Sequence, residues 1–226
     1  MVRHIGRVNM TDFLMKLNPF DPGGFWMFMI FLTSVFTVFV AAERVWTLWF
    51  KYRVDSRQIM SRILSYVDSA NYSRAIEVCN SQPNNPLMVV LKSGLLKANR
   101  SDIEIRRALE QTTMKVGPQI GNRIPYLATL ANVATLLGLL GTIFGLMMAF
   151  ESVGAASAAK KQEVLAQGIA VAMETTAGGL IVAIPTTIVH ALLSSKQGSL
   201  LDTIEDAALT LFSHISAKNR AGSMQR

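Results

Sequence analysis

The chain has 226 residues, half of them apolar and 16% charged, against roughly 25% charged in an ordinary soluble domain, which argues against a simple soluble protein. Lys and Arg outnumber Asp and Glu by 22 to 15 for a net charge of +7, but a mean hydropathy of +0.33 with twelve Met and eleven Phe points to lipid and not to a nucleic-acid partner, whose binding face would be polar. The single Cys79 excludes an internal disulfide, and His4, His190 and His214 are too dispersed for a metal-ligand motif, so no metal and no cofactor is expected.

In chain order, residues 1–22 form a leader carrying Arg3, Arg7 and Lys16, and the first charge-free stretch runs over 23–42, between Asp21 and Glu43. About 20 apolar residues are enough for a transmembrane helix. A cleaved signal peptide ending near Val40-Ala41-Ala42 is the competing reading. It is disfavoured because the stretch exceeds a signal h-region and is followed by Trp46, Trp49, Phe50 and Tyr52, which resemble an interfacial aromatic belt.

Residues 43–123 read as a helical domain. Ile59, Ile63, Leu64 and Val67 recur at helical spacing, and a second such pattern holds Ala75, Ile76 and Val78. Gln82-Pro83-Asn84-Asn85-Pro86 is a break, Leu87–Lys97 restarts the pattern, Ser101 with Glu104 three residues on suits a helix cap, and Gly117-Pro118 suggests a kink. A second span covers 124–150, a short loop 151–163, and a third span 164–195 interrupted by one acid, Glu174; residues 196–226 are a C-terminal helix or tail. Thirteen Lys or Arg lie from Arg44 to Arg123 and four follow the third span, against two in the short loop. The positive-inside rule therefore puts the large loop and the C-terminus in the cytoplasm and the N-terminus outside. The fold class expected is an all-α membrane protein with three transmembrane helices, long cytoplasmic helical extensions and a bundle.

Gly138, Gly141 and Gly145 share one face of the second span, with Thr135 and Thr142 stacked seven residues apart on a neighbouring face. In the third span Ala172, Thr176, Gly179, Ala183 and Thr187 form a small, hydroxylated stripe. Such threonines either bond their own backbone and glue helices together or aim hydroxyls into a common space. Glu174 is either a structural, protonated hydrogen-bond donor or part of an ion path, because a carboxylate facing lipid is costly. Pro185 frees a carbonyl near Ile181 and gives a hinge or a hydrated polar spot.

The runs Ile124-Pro125-Tyr126-Leu127-Ala128-Thr129-Leu130-Ala131-Asn132, Leu136-Leu137-Gly138-Leu139-Leu140-Gly141-Thr142, Gly168-Ile169-Ala170 and Thr175-Thr176-Ala177-Gly178-Gly179-Leu180-Ile181-Val182-Ala183-Ile184-Pro185 resemble the MotA/TolQ/ExbB proton-channel family. The similarity is closest to the ExbB/TolQ branch, and Glu43-Arg44 resembles that branch's juxtamembrane acidic-basic pair. The resemblance implies assembly as a ring, a homopentamer in the bacterial inner membrane, around a pair of single-span partners of the ExbD/TolR type whose transmembrane aspartate meets the family's threonines. Thr142 and Thr176 occupy those threonine positions; Glu174, Thr135 and Thr175 join them in the expected ion pathway, while Gly138, Gly141, Gly145, Gly178, Gly179 and Pro185 serve helix packing. The work implied is conversion of proton motive force into motion for TonB-dependent transport, Tol-Pal function or motility.

Two departures stand out. Val171 occupies a position that is commonly glutamate in this branch, with the acid three residues on at Glu174, about 60° around the helix and one turn deeper. Thr135 replaces a common proline, and its hydroxyl leaves sodium as an alternative to protons. The competing function is a membrane scaffold anchoring a cytoplasmic interaction bundle. An enzyme is not expected, because one acid without a metal site, a nucleophile–base pair or a second acid makes no catalytic constellation.

Overall fold

The structure, a computed structural model, describes residues 24–52, 56–155 and 157–224. The leader and its Arg3, Arg7 and Lys16 lie outside the described residues. Seven α-helices follow one another among those described: α1 Gly24–Trp46, α2 Ser56–Asp68, α3 Tyr72–Asn80, α4 Pro86–Leu95, α5 Asp102–Gly121, α6 Ile124–Ala155 and α7 Lys161–Met224. A single π-helical turn, Thr47–Lys51, extends α1. Three stretches are long and apolar enough to cross a membrane: Gly24–Phe50, one within Asp102–Gly154 and one within Lys161–Ala221, with mean hydropathies of 2.2, 2.1 and 1.7. The fold is thus all-α, with three membrane-length apolar helices.

The chain divides into two compact units. One comprises the chain up to Ala42 and Pro125–Ala191, the other Glu43–Ile124 and the chain from Leu192 onward. In the first unit, α1 carries no charged residue up to Ala42, as a helix in lipid requires. Phe31, Phe36, Val38 and Phe39 point outward, while Thr33 and Thr37 donate their hydroxyls to the Met29 and Thr33 carbonyls one turn back, at 2.9 and 2.7 Å. Its N-terminal end meets α6 through Trp26, stacked on Phe144 with ring centroids 5.0 Å apart.

The second unit has the aqueous kind of core. α2 packs on α3, α3 on α4 and α4 on α5. Each start is set by a local device. Asn71 caps α3 by accepting from the Arg74 amide, Asn85 caps α4 from the Leu87 amide with Pro86 at the first helical position, and Ser101 caps α5 from the Glu104 amide. The turn between α2 and α3 passes through Ala70 with φ 58°, the left-handed region. Pro118 sits inside α5 and Pro185 inside α7, and neither ends its helix.

The C-terminal part of α7, read from sequence as a helix or tail, supplies a wall of this core. Ile204, Leu211 and Ile215 are enclosed with Ile63, Leu91 and Ile105. Its last turns are stitched down: the Lys218 ammonium donates to the Val67 and Asp68 carbonyls at the open end of α2, Ser216 Oγ donates to Asp102 at 2.6 Å, and Asn219 Nδ2 donates to the Ala98 carbonyl at 3.1 Å. A lysine at a helix C-terminus satisfies orphan carbonyls and complements the dipole.

Cys79 lies in this core with 1% exposure, and burial pushes its thiol up to about 11 from an ordinary value near 9. A raised thiol pKa favours the protonated folded form fully below about pH 9, and that contribution is lost as the pH rises toward about 11. Alkylation at pH 8 should therefore be slow in the folded chain and fast in denaturant. Leu211→Ala, which removes about 2–5 kcal/mol of core packing, should accelerate the labelling of Cys79 without any change at the thiol itself.

Candidate functional site

The α6–α7 pair is built on a seam of small residues. Along α6 the enclosed positions are Ala131, Ala134, Gly138, Gly141, Gly145 and Ala149; along α7 they are Ala172, Thr175, Gly179, Ala183 and Thr186. The spacing of three and four residues keeps each set on one helical face. Their pairing runs antiparallel: Gly145 meets Ala172, Gly141 meets Thr175, and Gly138 lies against Thr175, Thr176 and Gly179. A methyl group placed on Gly179 would stand 2.6 Å from the Ala134 carbonyl oxygen, and one on Gly138 would stand 3.1 Å from the Thr175 carbonyl oxygen and 3.3 Å from the Gly179 Cα. Backbone touches backbone there; at Gly179 only glycine fits, and at Gly138 a methyl group would force its neighbours to give way. Gly168, which the sequence reading did not single out for packing, makes the same kind of approach to Ala149. Gly178 faces another way, leaving room for Met27 of α1, whose Sδ would be 3.2 Å from an added Cβ.

The stripe in α7 differs from the sequence-based one at two positions. Thr175 and Thr186 occupy the buried seam, while Thr176 is half-buried beside it and Thr187 is exposed. Thr175 fills the space left by Gly141, and its hydroxyl donates to the Ala172 carbonyl at 2.8 Å. Thr186 and Thr187 donate to Val182 and Ala183 at 2.6 and 2.9 Å, one turn back and adjacent to the Ile181 carbonyl that Pro185 cannot serve.

Thr142 and Thr176 flank the seam at one level, since Thr142 follows Gly141, Thr176 follows Thr175, and those two residues touch. The Thr142 hydroxyl donates to the Leu139 carbonyl at 2.6 Å. Thr176 donates across the interface to the Gly138 carbonyl at 3.3 Å, a bond that the bare Gly138 Cα makes reachable. Thr135, two turns from Thr142 and exposed, donates to Ala131 at 3.1 Å. A hydroxyl has one proton and two lone pairs. With the protons directed to carbonyls, Thr142 and Thr176 offer acceptors only, so the group that suits them is a donor or a cation.

Glu174 lies at the same level, immediately before Thr175, and is exposed at the surface of the chain. A carboxylate turned to hydrocarbon there costs about 2.5–3.5 kcal/mol on insertion scales. The face carrying Glu174 is therefore suited to water or to another polypeptide. Among the described residues no cluster of metal-ligating side chains occurs.

Glu43 and Arg44 end the apolar run of α1. Glu43 accepts from Arg44 Nη2 at 2.8 Å and from Arg123 Nη1 at 2.7 Å, so one carboxylate joins two guanidinium groups. Arg123 had counted in the sequence only as an orientation charge, because nothing local links it to a residue 80 positions away.

Residues 82–206 match the MotA/TolQ/ExbB proton channel family. The chain is similar to a putative biopolymer transport protein, ExbB-like 1, of Synechocystis sp., at 30% identity over 82% of this chain and 73% of that protein. It is similar to the Tol-Pal system protein TolQ of Haemophilus influenzae at 38% identity over 42% of this chain, and to the biopolymer transport protein ExbB of Salmonella typhimurium at 35% over 44%. The last two alignments each span 41% of the relative's length.

Packing at the seam is directly testable. Gly179→Ala should destabilise the α6–α7 pair by about 1–3 kcal/mol through overpacking, whereas Gly198→Ala, with nothing within 4 Å of the added carbon, should stabilise α7 by about 0.5–1 kcal/mol. Thermal unfolding in one detergent reads both, and equal shifts in the two variants would contradict the seam.

Proposed function

Because the chain belongs to the MotA/TolQ/ExbB proton channel family, on the ExbB/TolQ side of it, we propose that it is the multi-pass subunit of an energy-transducing complex of the bacterial inner membrane, with its N-terminus periplasmic and the Glu43–Ile124 unit cytoplasmic. Its partner in this reading is a single-span protein of the ExbD/TolR type, a pair of which sits within a ring of copies of this chain. Homopentamer is the stoichiometry that the family resemblance implies.

The observation that carries the reading is that Thr142 and Thr176 flank the seam at one level, with Glu174 at the same level of α7 on another face. Two hydroxyl oxygens with free lone pairs suit a protonated carboxylic acid, which donates its hydrogen bond; a deprotonated one brings acceptors against acceptors and is repelled. The partner's aspartate thus docks when protonated and leaves when it has lost its proton. Glu174 provides a second acid within the chain at that level, and Thr135 extends the hydroxyl row by two turns. Thr175 serves the seam, so the pathway proper consists of Thr142, Thr176 and Glu174. One charge crossing about 100 mV yields roughly 2.3 kcal/mol, enough to bias such a docking equilibrium by well over tenfold. The energised process is one of transport linked to TonB, Tol-Pal function or motility.

The test is co-purification with a single-span, aspartate-bearing membrane protein, subunit counting by native mass spectrometry, and proton flux into liposomes holding the complex. Thr142→Ala combined with Thr176→Ala, and separately Glu174→Gln, should leave the complex assembled and lower the flux by about 10-fold or more. Undiminished flux in assembled variants would instead favour a scaffold whose helices only anchor the cytoplasmic bundle.

A further inference from the structure

Within the second unit, α5 and the C-terminal part of α7 run antiparallel and are held together at both ends of their overlap. At one end, small residues of α5 admit α7: a carbon added at Gly117 would lie 3.7 Å from Leu201, and one added at Gly121 would meet the Gln197 amide. At the other end, Ser216 Oγ donates to Asp102 at 2.6 Å. Between these two clasps the helices leave open a groove of about 340 Å³. Its floor is the buried Leu109 and Ala208 with the half-buried Phe212, and Met114 and Leu209 stand on its walls, 76% and 61% exposed. Large apolar side chains held that far out beside an apolar floor mark a contact surface.

The charge on the groove selects what covers it. Glu110 and Glu205 line it against one cation, Arg106, whose Nε is already given to Glu110 at 2.8 Å. Along α7 the stretch 197–217 carries Asp202, Glu205 and Asp206 and no Lys or Arg, in a chain of net charge +7. The complement is a basic amphipathic segment, with apolar side chains on the floor and Lys or Arg at the rim. A second copy of this chain lacks a matching ridge here. Among residues 56–121 the exposed large apolar side chains other than Met114 are Val89, Leu96 and Ile103, spread over two helices without the i, i+3 or i+4, i+7 run that fills a groove.

We propose that this groove docks the cytoplasmic end of the single-span partner as a basic amphipathic segment. The inference rests on the reading that such a partner exists and that this unit is cytoplasmic. A single-span protein with a short end in the cytoplasm carries Lys and Arg on that end, by the same positive-inside rule that orients this chain. Its charge therefore matches the rim formed by Glu110 and Glu205.

The test uses the co-purified complex in lipid nanodiscs, with Leu209→Cys or Met114→Cys in the full chain and a thiol-to-amine crosslinker. Mass spectrometry is expected to find the added thiol joined to a lysine or the amino terminus in the short cytoplasmic end of the single-span protein. Glu110→Lys combined with Glu205→Lys, in the Leu209→Cys background, is expected to lower the yield by about tenfold or more, because like charges then face one another. Glu77→Lys, on the exposed side of α3, is expected to leave it within about twofold. Slow alkylation of Cys79, read by peptide mass, checks that the unit is folded in each variant. A product joining two copies of this chain overturns the proposal, as does a yield indifferent to the two charge reversals. If the single-span protein co-purifies and the complex conducts protons but the thiol joins nothing, the docking fails and the channel reading stands. If the crosslink forms as expected while Thr142→Ala with Thr176→Ala conducts normally, the docking stands and the channel reading fails.

Discussion

Between helices in hydrocarbon, an apolar side chain gains nothing by leaving lipid for a neighbouring helix, so association depends on dispersion at close range and on hydrogen bonds. The α6–α7 seam meets that condition by removing side chains. Gly179 approaches the Ala134 carbonyl at a distance that no β-carbon fits, Gly138 and Gly179 lie tightly against one another's backbone, and Ala131, Ala134, Ala172 and Ala183 continue the line with single methyl groups. The larger residues of the same helices, such as Leu136, Ile143, Met147 and Ile181, are pushed to other faces and left exposed. What lies outward on this unit is therefore a consequence of what the seam excludes.

The chemistry at the candidate site follows from the same constraint. A residue that is small, tolerated in a helix and able to satisfy its own polar group is needed near such a contact, and threonine meets all three by bonding a carbonyl one turn back, as Thr142 does, or one across the close contact, as Thr176 does. Either bond fixes the direction of the hydroxyl proton. At Thr142 and Thr176 the proton is directed at a carbonyl of Leu139 or Gly138, and the lone pairs are what remains. Acceptor character at this level is thus a by-product of packing, and it is the property that selects a protonated acid over its conjugate base.

Much of this was legible beforehand for physical reasons. Charge is expensive in lipid, so the three apolar runs stand out between Asp21, Glu43, Arg123 and Glu151 without any structural knowledge. The Ser101-Glu104 start was equally plain, since a cap is local, whereas the break at 82–86 hid the cap that Asn85 supplies to α4. The choice between Thr175 and Thr176 was not: both sit at helical spacing from Ala172 and Gly179, and only the crossing of two helices decides which one enters the seam. Residues 196–226 read only as a helix or tail because the apolar spacing at Ile204, Leu211 and Ile215 has no visible partner until α2, α4 and α5 are folded around it. Arg123 was hidden for the same reason, its partner being remote in sequence.

The ends of the apolar runs are where those two kinds of information meet. The positive-inside rule treats Arg44 and Arg123 as equal counts, yet their surroundings differ in kind. Arg44 is enclosed, with one nitrogen unsatisfied, so Glu43 is required there to offset the desolvation of a cation. Arg123 is half in solvent, where an ion pair alone contributes little, and its backbone lies in the left-handed region at φ 65°. Loss of Arg123 leaves the Glu43–Arg44 pair in place, whereas loss of Glu43 leaves an enclosed cation without its carboxylate. A bare count of charges sets orientation, but it is Glu43, the acid that both arginines contact, that turns those charges into structure.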